Sequence, residues 1–357
     1  MKEFGKQLVE WFAKNKRDLP WRETSDAYAI WLSEIILQQT RVNQGLPYYL
    51  RFINAYPTVK HLAAGTPDAI FKLWQGLGYY RRAENMMKAA QKIVTDFNGE
   101  FPKSFYKLKE LPGVGDYTAA AVASIAYGEK VAVVDGNVYR FMSRLFGIKT
   151  EILSSQAKKE FSELMLTLMQ NFHPGVFNQA VMEFGALYCV PTNPHCDGCI
   201  FNKQCFAFTH HCVQELPVVK VKKKKQKRVI YYLVLEWNGH VLVNHRTKND
   251  IWKGLYDFPA LEYNSVQNME TVLNDIFQKK YILREAVKTM APFSKIYKHP
   301  LTHIDITARF IRIKLNREPV VEENKSLRTV SYSVLSELAV PRLVDRYLED
   351  WGLGIGD

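Results

Sequence analysis

The chain has 357 residues, 47% hydrophobic and 24% charged, a composition that excludes a disordered protein. No apolar run reaches the ~20 residues of a membrane helix, and Met1-Lys2-Glu3-Phe4 does not open a secretory signal. Forty-eight Lys plus Arg against 36 Asp plus Glu leave a net charge of +12, which favours a polyanionic partner, above all nucleic acid.

The expectation is a soluble, cytoplasmic protein without membrane attachment, nucleoid-associated if its source is bacterial. At about 100–200 residues per domain, the length suggests two or three domains.

In chain order, Phe4, Leu8, Trp11 and Phe12 mark one face of a first helix, ended by Lys14-Asn15-Lys16-Arg17-Asp18. Ser25 or Asp26 is placed to cap a second, apolar helix from Ala27 to Gln39. Helical stretches follow near 46–54, 67–75, 80–97 and 104–110, punctuated by Pro57, Gly65-Thr66-Pro67 and Phe101-Pro102. Those at 117–127 and 137–146 are small and apolar, and another runs near 155–171. No strand alternation precedes residue 185, so this part reads as an all-helical lobe.

Lys220 to Arg228 reads KVKKKKQKR, seven basic residues in nine, which predicts a solvated linker between domains. Beyond it, the apolar run Val229–Trp237, then Asn238-Gly239 and Val241-Leu242-Val243, form a hairpin signal. Runs around 289–297 and 303–314 also favour strands, with a helix near 268–279 between. The second domain therefore reads as α+β.

Three features carry chemistry. Leu111-Pro112-Gly113-Val114-Gly115 sits between two helical stretches, where Gly113, Val114 and Gly115 could aim backbone amides at a phosphate from the start of a helix. Such a helix–turn–helix looks like a helix–hairpin–helix, a clamp on the DNA backbone that ignores sequence. Second come two acids in unlike settings. Glu34 has Ile30, Trp31 and Leu37 as its helical neighbours, so desolvation should let it hold a proton near neutral pH. Asp135, in Val133-Val134-Asp135-Gly136-Asn137, must be capped, paired or used. A protonated acid beside an ionised one is what cleavage at a sugar anomeric carbon requires. Third, the chain's five cysteines fall between 189 and 212. Cys189, Cys196, Cys199 and Cys205 are spaced C-x6-C-x2-C-x5-C, with Cys212 left over. Soft ligands in this pattern point to zinc or an iron–sulfur cluster, the wide loops favouring the bulkier group.

Several motifs together resemble the MutY-type adenine DNA glycosylases of the helix–hairpin–helix superfamily. They are Leu19-Pro-Trp-Arg22, Ser33-Glu-Ile-Ile-Leu-Gln-Gln-Thr-Arg41, Gly76-Leu-Gly-Tyr-Tyr80, the LPGVG turn, Val134-Asp-Gly-Asn137 and the cysteine loop. The resemblance spans residues 1–212. It implies a helical catalytic domain with its hairpin near 104–127 and a [4Fe–4S] cluster on the 189–205 loop, followed by a 213–228 linker. It also implies a monomeric enzyme that flips out and excises adenine mispaired with 8-oxoguanine or guanine in double-stranded DNA.

Under that resemblance Glu34 would protonate adenine N7 and Asp135 would stabilise the cationic sugar, with Asn137 beside Asp135 and Tyr117 packed in the pocket. Trp21, Arg22, Leu37 and Gln179 would line the adenine pocket, and Gln39 and Tyr79 would form the wedge that enters the base stack. Endonuclease III, a bifunctional relative, carries a lysine nucleophile where this chain has Tyr117; a phenol forms no Schiff base, so monofunctional excision is expected.

Residues 229–357 resemble the family's Nudix-like domain through Trp252-Lys-Gly-Leu-Tyr-Asp-Phe-Pro259, but lack the Nudix hydrolase box. That domain would read 8-oxoguanine through a loop that is Phe-Ser-His in relatives and Leu301-Thr302-His303 here, without the aromatic. The alternatives are an endonuclease III-type glycosylase/lyase and a non-catalytic iron–sulfur DNA-binding protein.

Overall fold

The computed structural model describes residues 2–219, 225–248, 250–278, 282–301, 303–319 and 326–352. Its contacts divide into two compact units, Met1–Ala64 with Asn85–Lys222, and Gly65–Glu84 with Lys223–Asp357. The continuous 1–212 stretch read from the sequence is therefore interrupted: Gly65–Glu84 groups with the C-terminal unit. No helix among the described residues is long and apolar enough to cross a membrane.

The helices begin with α1 (Lys2–Asn15), α2 (Ala27–Leu37), α3 (Val42–Ala55), α4 (Val59–Ala64), α5 (Pro67–Trp74) and α6 (Arg81–Asp96). There follow α7 (Phe105–Lys109), α8 (Asp116–Tyr127), α9 (Gly136–Phe146), α10 (Ser155–Leu168), α11 (Pro174–Leu187) and α12 (Phe206–Thr209).

In the first unit α2 is apolar all round and buried from Ala27 to Ile36, which makes it a central helix rather than an amphipathic one. Asp26 caps it, accepting from the Tyr28 amide at 3.1 Å. It stops at Leu37, two residues short of the sequence reading, because Gln38 turns extended and Gln39 adopts φ 58°. Helix α8 packs on α2 with the small buried residues Ala119–Ala123, which let the two axes approach. A second core joins Phe4, Leu8 and Phe12 of α1 to Phe141 of α9, Phe161 of α10 and Phe184 of α11. Gly185 sets one crossing, since a Cβ there would lie 2.7 Å from the Asn137 carbonyl oxygen of α9.

The second unit adds β1 (Gln226–Trp237), β2 (His240–His245), β3 (Tyr256–Asp257), β4 (Ala260–Tyr263), α13 (Met269–Gln278) and β5 (Val287–Met290). It continues through β6 (Tyr297–Pro300), β7 (Ile304–Leu315), β8 (Leu327–Ser331), α14 (Tyr332–Glu337) and α15 (Arg342–Asp350). The sheet runs β3-β2-β1-β7-β5, with β4 on β1, β6 on β7 and β8 on β2. The β1–β7 pair is parallel and the others are antiparallel, so the sheet is mixed. Strand β1 is buried on both faces. Val229, Tyr231, Leu233 and Leu235 pack with Val272 and Ile276 of α13, while Tyr232 stacks on Phe310 and Phe310 on Tyr347 of α15. The predicted hairpin forms at Asn238 (φ 44°) and Gly239 (φ 73°).

Two expectations fail here. The 289–297 run is not one strand: Val287–Met290 and Tyr297–Pro300 are separate strands on β7, and between them Ala291 and Ser294 make isolated backbone hydrogen bonds to it. The linker reading to Arg228 is too long, since β1 already pairs Gln226 with Ile304. Its basic end is also partly neutralised: Lys225 meets Asp305 at 3.1 Å, and Arg228 meets Asp250 at 2.8 Å and Glu262 at 2.7 Å. Residues 220–224 of that run lie outside the described residues.

Candidate active site

Helix α2 carries Glu34, the N-terminus of α8 carries Tyr117, and the N-terminus of α9 carries Asp135 and Asn137. All four line one cavity of about 520 Å³ in the first unit. Trp21, Arg22, Leu37, Gln39 and Gln179 line it too. Carboxyl groups separated by a hundred residues of sequence thus share one space.

Their surroundings differ. Burial pushes Glu34 up to about 7, helped by the Asp135 charge and opposed by the Tyr117 hydroxyl and Arg22. Met182 Sδ lies 3.6 Å from the same hydroxyl, as an alternative acceptor for its one proton. Burial raises Asp135 as well, but its two oxygens accept from the Val138 amide and from Asn137 Nδ2, both at 2.8 Å. Those donors favour the ionised form. Capping and charge-holding coincide at Asp135, because the Val138 contact is also the N-cap of α9. Asn137 is itself oriented by Arg140, whose Nη2 donates to Asn137 Oδ1 at 2.9 Å and whose Nε donates to the Cys189 carbonyl at 2.8 Å.

Arg22 is not a free cation. Glu183 of α11 binds it at 2.7 and 2.6 Å and binds Arg17 at 2.9 and 2.6 Å. Burial pushes Glu183 up, but these arginines outweigh it and hold the carboxyl down at about 2. Glu183 and Met182 line the cavity and escaped the sequence reading. An apolar α11 offered no signal for a partner 161 residues away. Trp21 is buried edge-on against Tyr49, with ring centroids 4.9 Å apart, and forms a fixed wall.

The Leu111–Gly115 turn joins α7 to α8. Gly113 sits at φ 74°, and a Cβ there would come 2.7 Å from Asn85 Cβ. Gly115 caps α8. Val114 has its side chain buried, and its amide donates within the turn to Leu111 O at 3.1 Å. Across the turn Lys109 meets Asp116 at 2.5 Å, and Lys158 meets the same carboxylate.

Cys189, Cys196, Cys199 and Cys205 surround a second cavity with Phe141, Phe184 and Tyr188. Burial first, and then the neighbouring sulfurs, push the Cys199 thiol up to about 11. Arg144 Nη1 points at Cys189 Sγ (3.6 Å) and the Phe201 amide at Cys199 Sγ (3.4 Å). Among the described residues no three His, Cys, Asp or Glu side chains are arranged for a single metal ion.

In the second unit, Tyr79 is 42% exposed on the turn between α5 and α6. Leu301 and His303 occupy the short turn between β6 and β7, where Leu301 N donates to Ile304 O and His303 O accepts from Gln226 N. Leu301 is half-buried and His303 exposed. Thr302 lies outside the described residues.

Residues 32–166 match the HhH-GPD superfamily base excision DNA repair protein family, and residues 230–350 match the NUDIX domain. An adenine DNA glycosylase of Buchnera aphidicola subsp. Acyrthosiphon pisum is 30% identical over 351 residues, covering 98% of this chain and 97% of that one.

The chain belongs to the adenine DNA glycosylase family. A human member is 30% identical over 370 residues, covering 87% of this chain and 65% of the human one. The structure of a thermostable thymine-DNA glycosylase superposes with a TM-score of 0.53 at 30% identity, covering 58% of this chain and 96% of that one. An endonuclease III–DNA complex shares the fold at a TM-score of 0.52 and 20% identity, covering 58% of this chain and 95% of that one. As a member of the adenine DNA glycosylase family, the chain is a DNA N-glycosylase of base excision repair, with a helical HhH-GPD part and a Nudix-like part built on a mixed sheet.

Proposed function

We propose that the enzyme removes adenine paired with 8-oxoguanine, or with guanine, from duplex DNA, acting as a monomer on an extruded nucleotide. One observation carries the reading: two carboxyl groups line one open cavity, with Glu34 poised near pH 7 and Asp135 clasped by two donors.

In this mechanism Glu34 gives its proton to adenine N7. The C1′–N9 bond then breaks, and its electron pair leaves with the neutral base. The Asp135 carboxylate faces the cationic C1′ and stabilises it, or bonds it transiently, until water attacks C1′ and gives its proton to the Glu34 carboxylate, which restores the acid. Asn137, held by Arg140, keeps Asp135 ionised and aimed. Tyr117 adjusts Glu34 through its hydroxyl. Trp21, Leu37, Gln179 and the Arg22–Glu183 pair line the base pocket. No lysine is among the described residues lining the cavity, so hydrolysis without strand cleavage is the expected outcome.

Gln39 and Tyr79 serve as the wedge in this reading. Gly113 and Gly115 grip the backbone, and Leu301, Thr302 and His303 read the opposite base. Cys189, Cys196, Cys199 and Cys205 would hold a [4Fe–4S] cluster. The donor set fits, with four soft sulfurs around one apolar-walled cavity and N–H groups aimed at two of them. When bound, the group supplies a four-thiolate tie and a positive charge that offsets the ionised sulfurs.

The test is a duplex containing 8-oxoguanine opposite adenine, incubated with enzyme and split with and without hot alkali. Strand breaks only after alkali support the reading. Breaks without alkali would favour a lyase, and none in either arm would leave only binding.

A further inference from the structure

The five-residue turn Gly76–Tyr80 has three residues on the left-handed side: Gly76 at φ 99°, Gly78 at φ 67° and Tyr79 at φ 47°. For Tyr79 that conformation is strained, and such strain persists only where neighbours over-determine it. The local bracing is dense. Trp74 Nε1 donates to Gly78 O at 3.0 Å, and Arg82 Nη2 donates to Leu77 O at 3.1 Å and Gly78 O at 3.3 Å. The Arg82 guanidinium lies 5.0 Å from the Trp74 ring centroid and 5.8 Å from that of Tyr79.

The rest of the bracing comes from far along the chain, within the same unit. Lys72 Nζ donates to Ser336 O at 2.6 Å, and Tyr80 Oη donates to Val340 O at 3.4 Å. Gly254, at φ 84°, leaves no room for a Cβ beside the Phe71 ring, 2.7 Å away. Gln75 ends α5 directly before the turn, and its Nε2 donates to Asp345 Oδ1 at 2.8 Å. Asp345 is buried on α15, and its other oxygen is taken by Arg342. It is a fixed acceptor set at the root of the strained turn.

We propose that Asp345 is a positioning residue for base extrusion, holding the Gly76–Tyr80 turn through Gln75 so that the Tyr79 ring is presented to the DNA stack. This rests on the wedge role given to Tyr79 above. It makes part of the NUDIX-matching segment a contributor to extrusion as well as a candidate reader of the opposite base.

The test uses the full chain and an 8-oxoguanine:adenine duplex with 2-aminopurine beside the target adenine, whose fluorescence rises when stacking is broken. Single-turnover excision is followed in parallel. Asp345→Ala is expected to slow both readouts about tenfold. Asp345→Asn keeps an oxygen for Gln75 and should recover most of the loss. In a Tyr79→Ala background, Asp345→Ala should cost nothing further, because both act through one ring. The proposal is overturned if Asp345→Ala stays within about twofold of the parent, if the two losses multiply, or if Asp345→Asn is as slow as Asp345→Ala. A normal Tyr79→Ala enzyme would instead remove the wedge role, and this proposal with it. Should Asp345→Ala fail to fold, Gln75→Ala, a partly exposed change at the helix end, carries the same comparisons.

Discussion

Glu34 in the helical unit and Asp257 in the sheet unit are both buried acids, and burial pushes their carboxyls up, to about 7 and about 6. Only their surroundings tell them apart. Asp257 is 1% exposed, takes Arg246 Nη1 at 2.6 Å and Asn244 Nδ2 at 2.9 Å, and pins β3 against β2. Arg246 in turn shares Asp250 with Arg228, and both guanidiniums flank the Trp252 ring, at 5.5 and 5.7 Å. Glu34 opens on a cavity, and Arg22, whose charge acts on it, is committed to Glu183. A displaced pKa therefore marks an active site only where space for a substrate and an uncommitted proton come with it.

That contrast can be broken by mutation. Glu34→Gln should lower excision by about 10²- to 10⁴-fold while leaving affinity for the mispaired duplex unchanged, as read by single-turnover kinetics and a binding titration. The matching change in the sheet unit, Asp257→Leu, should do the reverse. Losing one member of a buried ion pair is expected to cost about 3 kcal/mol in denaturant unfolding, with excision per folded molecule nearly unchanged. If Asp257→Leu silenced a fully folded enzyme, the distinction would be wrong.

Stability against pH sharpens the same point. A folded protein that holds the Glu34 proton up to about 7, where an ordinary glutamic acid lets go near 4.5, loses stability as pH rises through that window. Glu34→Gln removes the penalty. It should raise the unfolding free energy by about 2–3 kcal/mol at pH 8 and by almost nothing at pH 4. Equal gains at both pH values would show that packing, not titration, is responsible.

How much of this was legible follows from distance along the chain. Glu34 among Ile30, Trp31 and Leu37, the Leu111–Gly115 turn and the Asn238-Gly239 hairpin are local patterns, and each appears as an element where it was read. The sequence did not reveal Glu183 as the partner of Arg17 and Arg22, because charge pairing between α1–α2 and α11 leaves no periodic trace. Nor did it reveal that Gly65–Glu84 groups with the C-terminal unit, since α5 reads as one more helix in a helical run. Strands β3 and β8 are two and five residues long, too short for alternation to mark them. The basic run showed its charge but not its fate, because Asp250, Glu262 and Asp305 reach it through the sheet.

The smallest effect tests the donors rather than the acids. Asn137 and Asn244 each give an amide N–H to a carboxylate that desolvation pushes up, at 2.8 and 2.9 Å. Removing such a donor withdraws about 1.5 kcal/mol from the charged form. Asn137→Leu should therefore raise the pKa of Asp135, so that excision on the acid side weakens at a higher pH than in the parent. The alkaline side, governed by loss of the Glu34 proton, stays near pH 7. Asn244→Leu should leave the whole profile unmoved and lower only the unfolding free energy, because Asp257 is committed to Arg246 and takes no part in turnover. A moved acid limb in both variants would mean that the sheet-unit carboxylate also reports on catalysis. An unmoved limb in Asn137→Leu would mean that the Val138 amide alone keeps Asp135 ionised.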